Sequence, residues 1–264
     1  MNWWGKLIGG AFGFMLGGPL GALLGAAIGH NFDEGMKGIS PDNSARGHQQ
    51  QVQAAFFTAT FSVMGHVCKA DGRVTPDEIS TARLIMTQMD LSAGQRKSAV
   101  TLFNEGKKAD FPLEDILMQF RKETGHSGNI RRMFIEIQCY AACADGVVHP
   151  AEKALLLRVC GLLGFPQYDF ESIMAAVGAQ YHHQHSAQGT KTEKMSLHDA
   201  YKILNITRNS TEAEVKRAYR RLLSQHHPDK LVSKGLPEEM MKVATQRTHE
   251  IRQAYERIKL DMRF

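Results

Sequence analysis

The chain divides into three regions by the arrangement of its hydrophobic and polar residues. Residues 7–29 contain no charged side chain. Across residues 48–178, apolar side chains recur at intervals of three and four, as at Ile79 and Ala82, and this period is typical of helices that bury one face. The same period returns in residues 196–264, and no alternating strand pattern competes with it. We therefore predict an all-α protein.

The middle region contains seven predicted helices with short breaks between them. Their bounds are 50–70, 76–89, 93–107, 113–123, 130–144, 151–163 and 168–177. About 130 residues are enough to enclose one hydrophobic core, so we predict one helical domain over residues 48–178. Residues 31–47 and 179–195 are polar and lack apolar periodicity, which predicts a linker on either side of this domain.

The uncharged segment near the start of the chain is predicted to be a single transmembrane helix, with the anchor covering residues 1–30. As a helix, 23 residues span roughly 34 Å, which exceeds a bilayer core of about 30 Å. Trp3, Trp4 and Lys6 precede the segment, where an interfacial anchor would lie. A secretory signal peptide is the other interpretation, although the segment is long for one. Pro19 could divide the helix into two half-segments.

Glycine recurs at every fourth position of this segment. The positions are Gly5, Gly9, Gly13, Gly17, Gly21, Gly25 and Gly29. Residues four apart lie nearly above one another on a helix, so these glycines would form a stripe to which a second helix can pack closely. The stripe predicts a homodimer formed through the membrane segment. The alternative is the general abundance of glycine in membrane helices.

The net positive charge of the chain lies in its C-terminal region. Residues 196–264 contain 14 Lys and Arg against 9 Asp and Glu, while the preceding residues contain 18 of each. A basic module of this kind can bind nucleic acid. This one has neither an aromatic platform nor a recognised DNA-reading motif, so we expect no nucleic-acid partner. The charge instead suits steering onto an acidic protein partner.

His227, Pro228 and Asp229, here called the HPD motif, stand between two predicted helices. Apolar spacing predicts three helices in this region. Their marker residues are Leu197, Ala200, Tyr201 and Leu204, then Val215, Ala218, Leu222 and Leu223, then Ile251, Ala254, Tyr255 and Ile258. The two longer helices would form an antiparallel hairpin with the motif in the loop between them. Pro228 disfavours the α conformation at His227, so the second helix should end there, with His226 on the loop surface.

The helices and the HPD motif together resemble the J domain of DnaJ-type co-chaperones, over residues 196–259. The resemblance implies that the chain docks on a DnaK-type chaperone and stimulates ATP hydrolysis by that partner. It also implies a chaperone-binding surface. That surface consists of Lys216, Tyr219, Arg220, Arg221, His227, Pro228 and Asp229. The chain has no Gly/Phe-rich segment and no CxxCxGxG repeat, so independent binding of unfolded clients is not implied.

Two turns of the middle region repeat one pattern 74 positions apart, in residues 70–78 and 144–152. An EF-hand is one interpretation, but its first and third positions would be Val67 and Lys69, then Ala141 and Cys143, and these are not oxygen ligands. Helix-turn-helix geometry, with a proline near each helix start, is the interpretation we favour. A third possibility is a metal ion shared between the two turns. Its ligands would be Asp71, Glu78, Asp145 and Glu152.

The paired turns resemble those of the TerB-like helical domain, which implies an interaction module. All four cysteines lie in apolar helical contexts, so we predict reduced thiols in a core. They are Cys68, Cys139, Cys143 and Cys160. A divalent ion could bind to three histidines of the second linker, His182, His183 and His185. Histidines in a linker are more often ordinary polar residues that bind no metal.

The order of anchor, TerB-like domain and J domain is similar to that of a bacterial family of membrane-anchored DnaJ-like co-chaperones. The similarity implies an inner-membrane protein with a short periplasmic N-terminus and cytoplasmic C-terminal domains, and an influence on envelope-stress signalling and capsule synthesis. No catalytic constellation or cofactor motif is visible, so we expect a protein that is not an enzyme and binds no cofactor. The alternatives are a membrane scaffold or a metal-responsive sensor acting through the middle domain.

Overall fold

A computed structural model describes residues 18–25, 45–144, 146, 148–186, 195–237 and 240–264 of the chain. The helices in these ranges are α1 Ala45–Cys68, α2 Pro76–Gln88, α3 Ala93–Gly106, α4 Leu113–Thr124, α5 Gly128–Ala142, α6 Pro150–Leu162, α7 Gln167–Ser186, α8 Leu197–Leu204, α9 Glu212–His226, α10 Pro228–Val232 and α11 Met241–Met262. A further short helix covers residues 18–25. No strand occurs among the described residues, so the all-α prediction is confirmed for them.

Reciprocal side-chain caps explain where the helices after the duplicated turns begin. At the start of α2, Glu78 Oε2 accepts a hydrogen bond from the backbone N–H of Thr75 at 2.6 Å, and Thr75 Oγ1 accepts one from the N–H of Glu78 at 3.2 Å. At the start of α6, Glu152 accepts from the N–H of His149 at 2.9 Å. Each such cap contributes about 1 kcal/mol. The repeated pattern therefore encodes two helix starts, as its prolines predict.

Two glycines allow α1 and α3 to cross at very close range. A Cβ atom at Gly65 would lie 2.0 Å from the carbonyl oxygen of Phe103, and one at Gly106 would lie 1.8 Å from the carbonyl oxygen of Ser62. Only glycine fits at such backbone-to-backbone contacts. Because α1 also packs on α4, α5 and α6, this crossing lies at the centre of the middle domain.

The seven predicted helices of the middle domain are confirmed, with one large difference in length. Helix α7 continues to Ser186, so residues 179–186 are helical where a linker was predicted. The apolar pattern ends at residue 177, but Ala179 is buried in the smaller apolar cluster, and polar contacts hold the rest of this end of α7. Tyr181 donates to the carbonyl oxygen of Ala144 at 2.5 Å, and Gln180 donates to Glu250 of α11 at 3.0 Å. At the other boundary, α1 begins at Ala45, inside the first predicted linker.

Buried apolar side chains form two clusters, and their boundary is not the boundary between the predicted domains. The smaller cluster joins α8, α9 and α11, and it also includes Ala179 of α7. The larger one fills the middle domain and also includes Leu231, Leu236, Met240 and Ala244 from the C-terminal region. The C-terminal helices are therefore packed directly on the middle domain.

Only a short part of the predicted membrane segment, residues 18–25, is described. Gly18, the first residue of this short helix, has a φ of +61°, a left-handed conformation that favours glycine. Leu20 is buried against the middle domain, and its N–H donates to Gln119 Oε1 at 2.8 Å.

Most of the predicted single span lies outside the described residues, so the span stays a prediction. Among the residues that the structure describes, none of the helices combines the length and the apolar character needed to cross a bilayer. Gly21 and Gly25 lie within the short helix. The other glycines of the stripe and the predicted interfacial anchor residues lie outside the described residues; they are Gly5, Gly9, Gly13, Gly17, Gly29, Trp3, Trp4 and Lys6.

We expect Gly65→Ala to lower the free energy of unfolding by about 3 kcal/mol, because the added methyl group collides with the backbone of α3. Gly94→Ala is the matched control. No atom lies within 4 Å of a Cβ built there, and the change should stay within about 1 kcal/mol of zero. Urea unfolding of the full chain in detergent, followed by circular dichroism, measures both. Equal stability of the two variants would contradict the close crossing.

Candidate functional site

His227 separates α9 from a short helix that follows it at once. Its φ and ψ are −63° and 122°, an extended conformation, so α9 ends at His226 as Pro228 predicts. Pro228 is the first residue of α10, where its missing N–H costs no hydrogen bond. The prediction of a loop was therefore wrong for Pro228 and Asp229, because the fixed φ of proline suits the first turn of a helix.

His227 and Asp229 project from this junction into solvent. Their side chains are 46% and 84% exposed, and His227 Nδ1 lies 4.0 Å from Asp229 Oδ2. The backbone between them is held by the proline ring and by the N–H of Leu231, which donates to the carbonyl oxygen of His227 at 3.0 Å. An imidazole and a carboxylate are thus presented side by side at a fixed spacing.

The short helix α10 is fastened to the structure beneath it. Leu231 is fully buried, and the N–H of Leu236 donates to its carbonyl oxygen at 2.9 Å. On the solvent side, Lys230 Nζ donates to Ser224 Oγ at 2.8 Å and so ties α10 back to the last turn of α9. The helix that carries Pro228 and Asp229 is therefore held from below by buried Leu231 and from the solvent side by the hydrogen bond of Lys230.

Cationic side chains cover the exposed face of α9 and lead towards the motif. Arg217, Arg220 and Arg221 are exposed, and the Lys216 side chain is about half exposed. Arg221, the last of these cations, precedes His227 by six residues along the chain. The predicted basic surface and the HPD motif are thus both exposed and follow one another at the end of α9.

Two of the predicted surface residues also make contacts inside the hairpin. The ring of Tyr219 stacks on that of Tyr255 in α11, with centroids 4.1 Å apart, and is partly buried. Lys216 pairs with Glu212, and its Nζ lies 5.3 Å from the ring centre of Phe264. Because the start of α9 meets the end of α11, the two helices are antiparallel, as predicted.

His226 was predicted to lie on the loop surface, and this was wrong. The residue is 2% exposed and lies on the same face of α9 as Val215 and Leu222. Its Nε2 lies 3.1 and 3.0 Å from the two carboxylate oxygens of Glu136 in α5. The apolar period of α9 extends to position 226 and could have indicated burial. No sequence signal connects it with a partner 90 residues away.

Glu136 is the centre of a buried charged cluster between the middle domain and the C-terminal helices. Its Oε1 accepts from Arg132 Nε at 3.0 Å, and its Oε2 lies 3.6 Å from Arg247 Nε in α11. Arg247 Nη1 donates to Gln180 of α7 at 2.5 Å and to Glu250 at 3.3 Å. Together with the imidazole from α9, this cluster joins two helices of the middle domain to two of the C-terminal region.

Burial determines the charge of the imidazole in this cluster. It lowers the pKa of His226 to about 4, against the opposing effect of Glu136, so the ring is neutral at pH 7. A neutral ring has one N–H, and both nitrogens face an acceptor, since Nδ1 lies 3.1 Å from the carbonyl oxygen of Leu222. We assign the proton to Nε2, because the ionised carboxylate is the stronger acceptor. Burial alone would raise the pKa of Glu136, but the charges of Arg247 and Arg132, with the hydrogen bonds from Arg132 and the His226 ring, hold it below its ordinary value. Glu136 therefore stays ionised.

The candidate metal ligands of the duplicated turns are used for helix capping. Glu78 and Glu152 are buried and bind the backbone N–H groups described above. Asp71 Oδ1 accepts from the N–H of Arg73 at 2.9 Å, and Asp145 lies outside the described residues. Among the residues that are described, no group of three or more His, Cys, Asp and Glu could hold a metal ion.

The cysteine prediction is confirmed, since all four thiols are free and buried. Burial raises the pKa of Cys160 to about 12, so this thiol stays protonated at pH 7 and packs as a small apolar group. The side chains of His182, His183 and His185 lie outside the described part of the chain, so their metal-binding alternative is not addressed by it.

Three family models match consecutive parts of the chain. Residues 1–43 match the co-chaperone DjlA transmembrane domain, residues 57–175 match tellurite resistance protein TerB, and residues 199–262 match the DnaJ domain. Co-chaperone protein DjlA of Coxiella burnetii is 43% identical to the chain over 264 residues, which cover 98% of each protein. The chain belongs to the DjlA family of co-chaperones.

Other DjlA proteins are similar over the same length. That of Shewanella oneidensis is 44% identical over 259 residues, with 98% of each chain covered. That of Legionella pneumophila is 41% identical over 281 residues, covering 97% of this chain and 95% of the relative. No solved structure matches the chain.

Membership of the DjlA family confirms the resemblances drawn from the motifs, and the match to the family's transmembrane domain supports a membrane-anchored protein. The HPD motif and Arg247 lie within the DnaJ match, whereas Glu136 and Arg132 lie within the TerB match. The buried charged cluster therefore joins residues from two separate family models.

We expect the chain to lose stability as the pH falls from 6.5 towards 4. In this window the unfolded chain protonates His226 while the buried ring stays neutral, so stability present above pH 6.5 is lost, by about 2 kcal/mol between pH 7 and pH 5. His226→Gln retains a donor for Glu136 but does not titrate, so it should remove this part of the pH dependence. Urea unfolding of both proteins in detergent at these pH values measures it. Equal pH dependence would contradict a neutral buried imidazole.

Proposed function

We propose that the chain is a membrane-anchored co-chaperone that recruits a DnaK-type chaperone and stimulates its ATP hydrolysis through the HPD motif. One observation supports this above all. His227 and Asp229 are exposed together beside Pro228, at the end of a basic helix, inside a region that matches the DnaJ domain.

The arrangement suggests a division of roles between the basic face and the motif. The cations of α9 raise the rate of encounter with an acidic surface of the chaperone. The imidazole and the carboxylate then make the specific contacts, and they favour the hydrolysis-competent conformation of the partner by binding it more tightly than the others. The chain supplies no group to the hydrolysis itself, so it acts as a regulator and not as an enzyme.

For the topology, we propose a single pass through the inner membrane, with a short periplasmic N-terminus and cytoplasmic C-terminal domains. A DnaK-type partner and its ATP are cytosolic, and the free buried cysteines suit a reducing compartment. We also propose that the glycine stripe of the anchor forms a homodimer. Recruitment of the chaperone to the membrane surface would be the route to an effect on envelope and capsule signalling.

We expect the full-length chain in lipid nanodiscs to accelerate single-turnover ATP hydrolysis by a DnaK-type chaperone by about tenfold or more, and His227→Gln by less than about twofold. The substitution removes the imidazole that faces the partner and leaves the fold untouched. His198→Gln changes another exposed histidine, in α8, and should behave like the unaltered chain. Equal stimulation by native and His227→Gln chains, or none by either, would contradict the proposal and favour a scaffold acting through the TerB-like domain.

We expect Arg220→Glu to raise the concentration of this chain that gives half-maximal stimulation of ATP hydrolysis, about threefold to tenfold at low salt. The reason is that the substitution reverses one charge on the basic face of α9. The effect should shrink as salt screens exposed charges. Lys202→Glu makes the same charge change at an exposed site on α8 and should have little effect. The same hydrolysis assay at two salt concentrations tests this. If the effect of Arg220→Glu does not depend on salt, or if Lys202→Glu has an equal effect, electrostatic steering by α9 is ruled out.

A further inference from the structure

We infer that Glu136 and His226 are positioning residues for the HPD motif, and that the chaperone-binding unit is the J domain docked on the TerB-like domain. The inference rests on the proposed co-chaperone function. It extends that function to the middle domain, by giving this domain the task of holding the motif in one orientation.

Apolar contacts show that the C-terminal helices are docked and not merely tethered. Leu231, at the end of the first turn of α10, and Leu236 are completely buried in the cluster that fills the middle domain. The turn after α10 approaches α1 so closely that a Cβ at Gly235 would lie 2.8 Å from Val52 Cγ1. Gly235 has a φ of +98°, which further restricts the position to glycine.

The charged cluster adds a directional constraint to this apolar contact. Glu136 and Glu250 are buried together with Arg247 and His226, and the contacts of Glu136 with His226 and Arg247 cross the interface. Burial of a charge is unfavourable unless partners surround it, and removal of one partner from such a set is strongly destabilising. A shifted docking of α9 or α11 would leave the carboxylate of Glu136 without these partners. The cluster therefore selects one relative placement of the two domains.

His226 links the placement of the domains to the HPD motif, because it is the last residue of α9 and is joined to His227 by a peptide bond. The extended backbone of His227 and the proline that follows allow little adjustment between α9 and α10. The direction of the last turn of α9 therefore sets the direction in which His227 and Asp229 point. If the hydrogen bond to Glu136 is lost, several orientations become populated, and only the competent fraction binds the chaperone.

A loss of positioning has a specific kinetic signature. If one orientation in about ten remains competent, the half-saturating concentration of the chain rises about tenfold, while the maximal rate of the bound complex is unchanged. A purely structural defect removes folded protein, so it also raises the apparent half-saturating concentration, but only in proportion to the lost folded fraction, which circular dichroism in detergent measures. The two roles are thus separated by the half-saturating concentration expressed per folded chain.

The experiment compares four variants of the full-length chain in lipid nanodiscs, in the single-turnover hydrolysis assay over a range of chain concentrations. Glu136→Gln removes the central charge, and His226→Leu removes the donor from α9. His226→Gln is the conservative rescue, since its amide can still donate to the carboxylate. Asp90→Asn is the matched control, because the Asp90–Lys242 ion pair also joins the two domains but is exposed on both sides.

We expect Glu136→Gln and His226→Leu to raise the half-saturating concentration about tenfold, equivalent to about 1.4 kcal/mol, with the maximal rate retained. His226→Gln and Asp90→Asn should stay within about twofold of the native chain. A native half-saturating concentration in folded Glu136→Gln or His226→Leu would overturn the inference. Failure of the native chain to stimulate hydrolysis would instead overturn the proposed function, so the two failures are distinguishable.

Amide hydrogen exchange gives a second readout that needs no chaperone. In His226→Leu, the amides of residues 222–232 should exchange faster than in the native chain, while those of α1 keep their native rates. If only α1 and the rest of the middle domain are affected, or if residues 222–232 are unchanged, Glu136 does not position the motif. This measurement also decides the question if Glu136→Gln fails to fold.

Discussion

The carboxylate of Glu136 is 6% exposed, and a charge removed from water to this degree is tolerated only where cations and donors surround it. Its partners come from three helices: Arg132 from α5 itself, His226 from α9 and Arg247 from α11. The first is local, whereas the other two are present only when the C-terminal helices are docked. Glu136 can therefore stay ionised in its buried position only while the C-terminal helices are docked on the middle domain.

Apolar burial and this charged cluster contribute different properties to the interface. The burial of Leu231 and Leu236 supplies driving force, but hydrophobic contact is not directional and tolerates small slides. The ion pairs of Glu136 tolerate none, because a displacement of a few ångströms leaves a charge unpaired. A buried polar group can in this way fix register at some cost in stability. The close contact of Gly235 with Val52 acts in the same direction by excluding any larger residue at the turn.

The sequence could predict what depends on neighbours along the chain. Helix bounds followed from apolar spacing, the stop at His227 followed from Pro228, and the starts of α2 and α6 followed from the duplicated turns. Contacts between distant segments left no comparable trace. His226 looks like an ordinary polar helix end, and its partner is 90 residues away. The last turns of α7 also escaped the apolar pattern, because the polar side chain of Gln180 and the hydroxyl of Tyr181 hold them.

The short connection between α7 and the C-terminal region explains how the interface between the two domains stays formed although its rim is exposed. Helix α7 carries Gln180 into the charged cluster and continues to Ser186, and the chain is described again from Met195 onwards. A connection this short holds the two domains at an effective concentration in the millimolar range, so an interface of modest intrinsic affinity remains formed. Under that condition the buried charges need not make the contact strong. They need only restrict the two domains to one relative orientation. The HPD motif requires this, because its two exposed side chains must point in one direction to contact the partner.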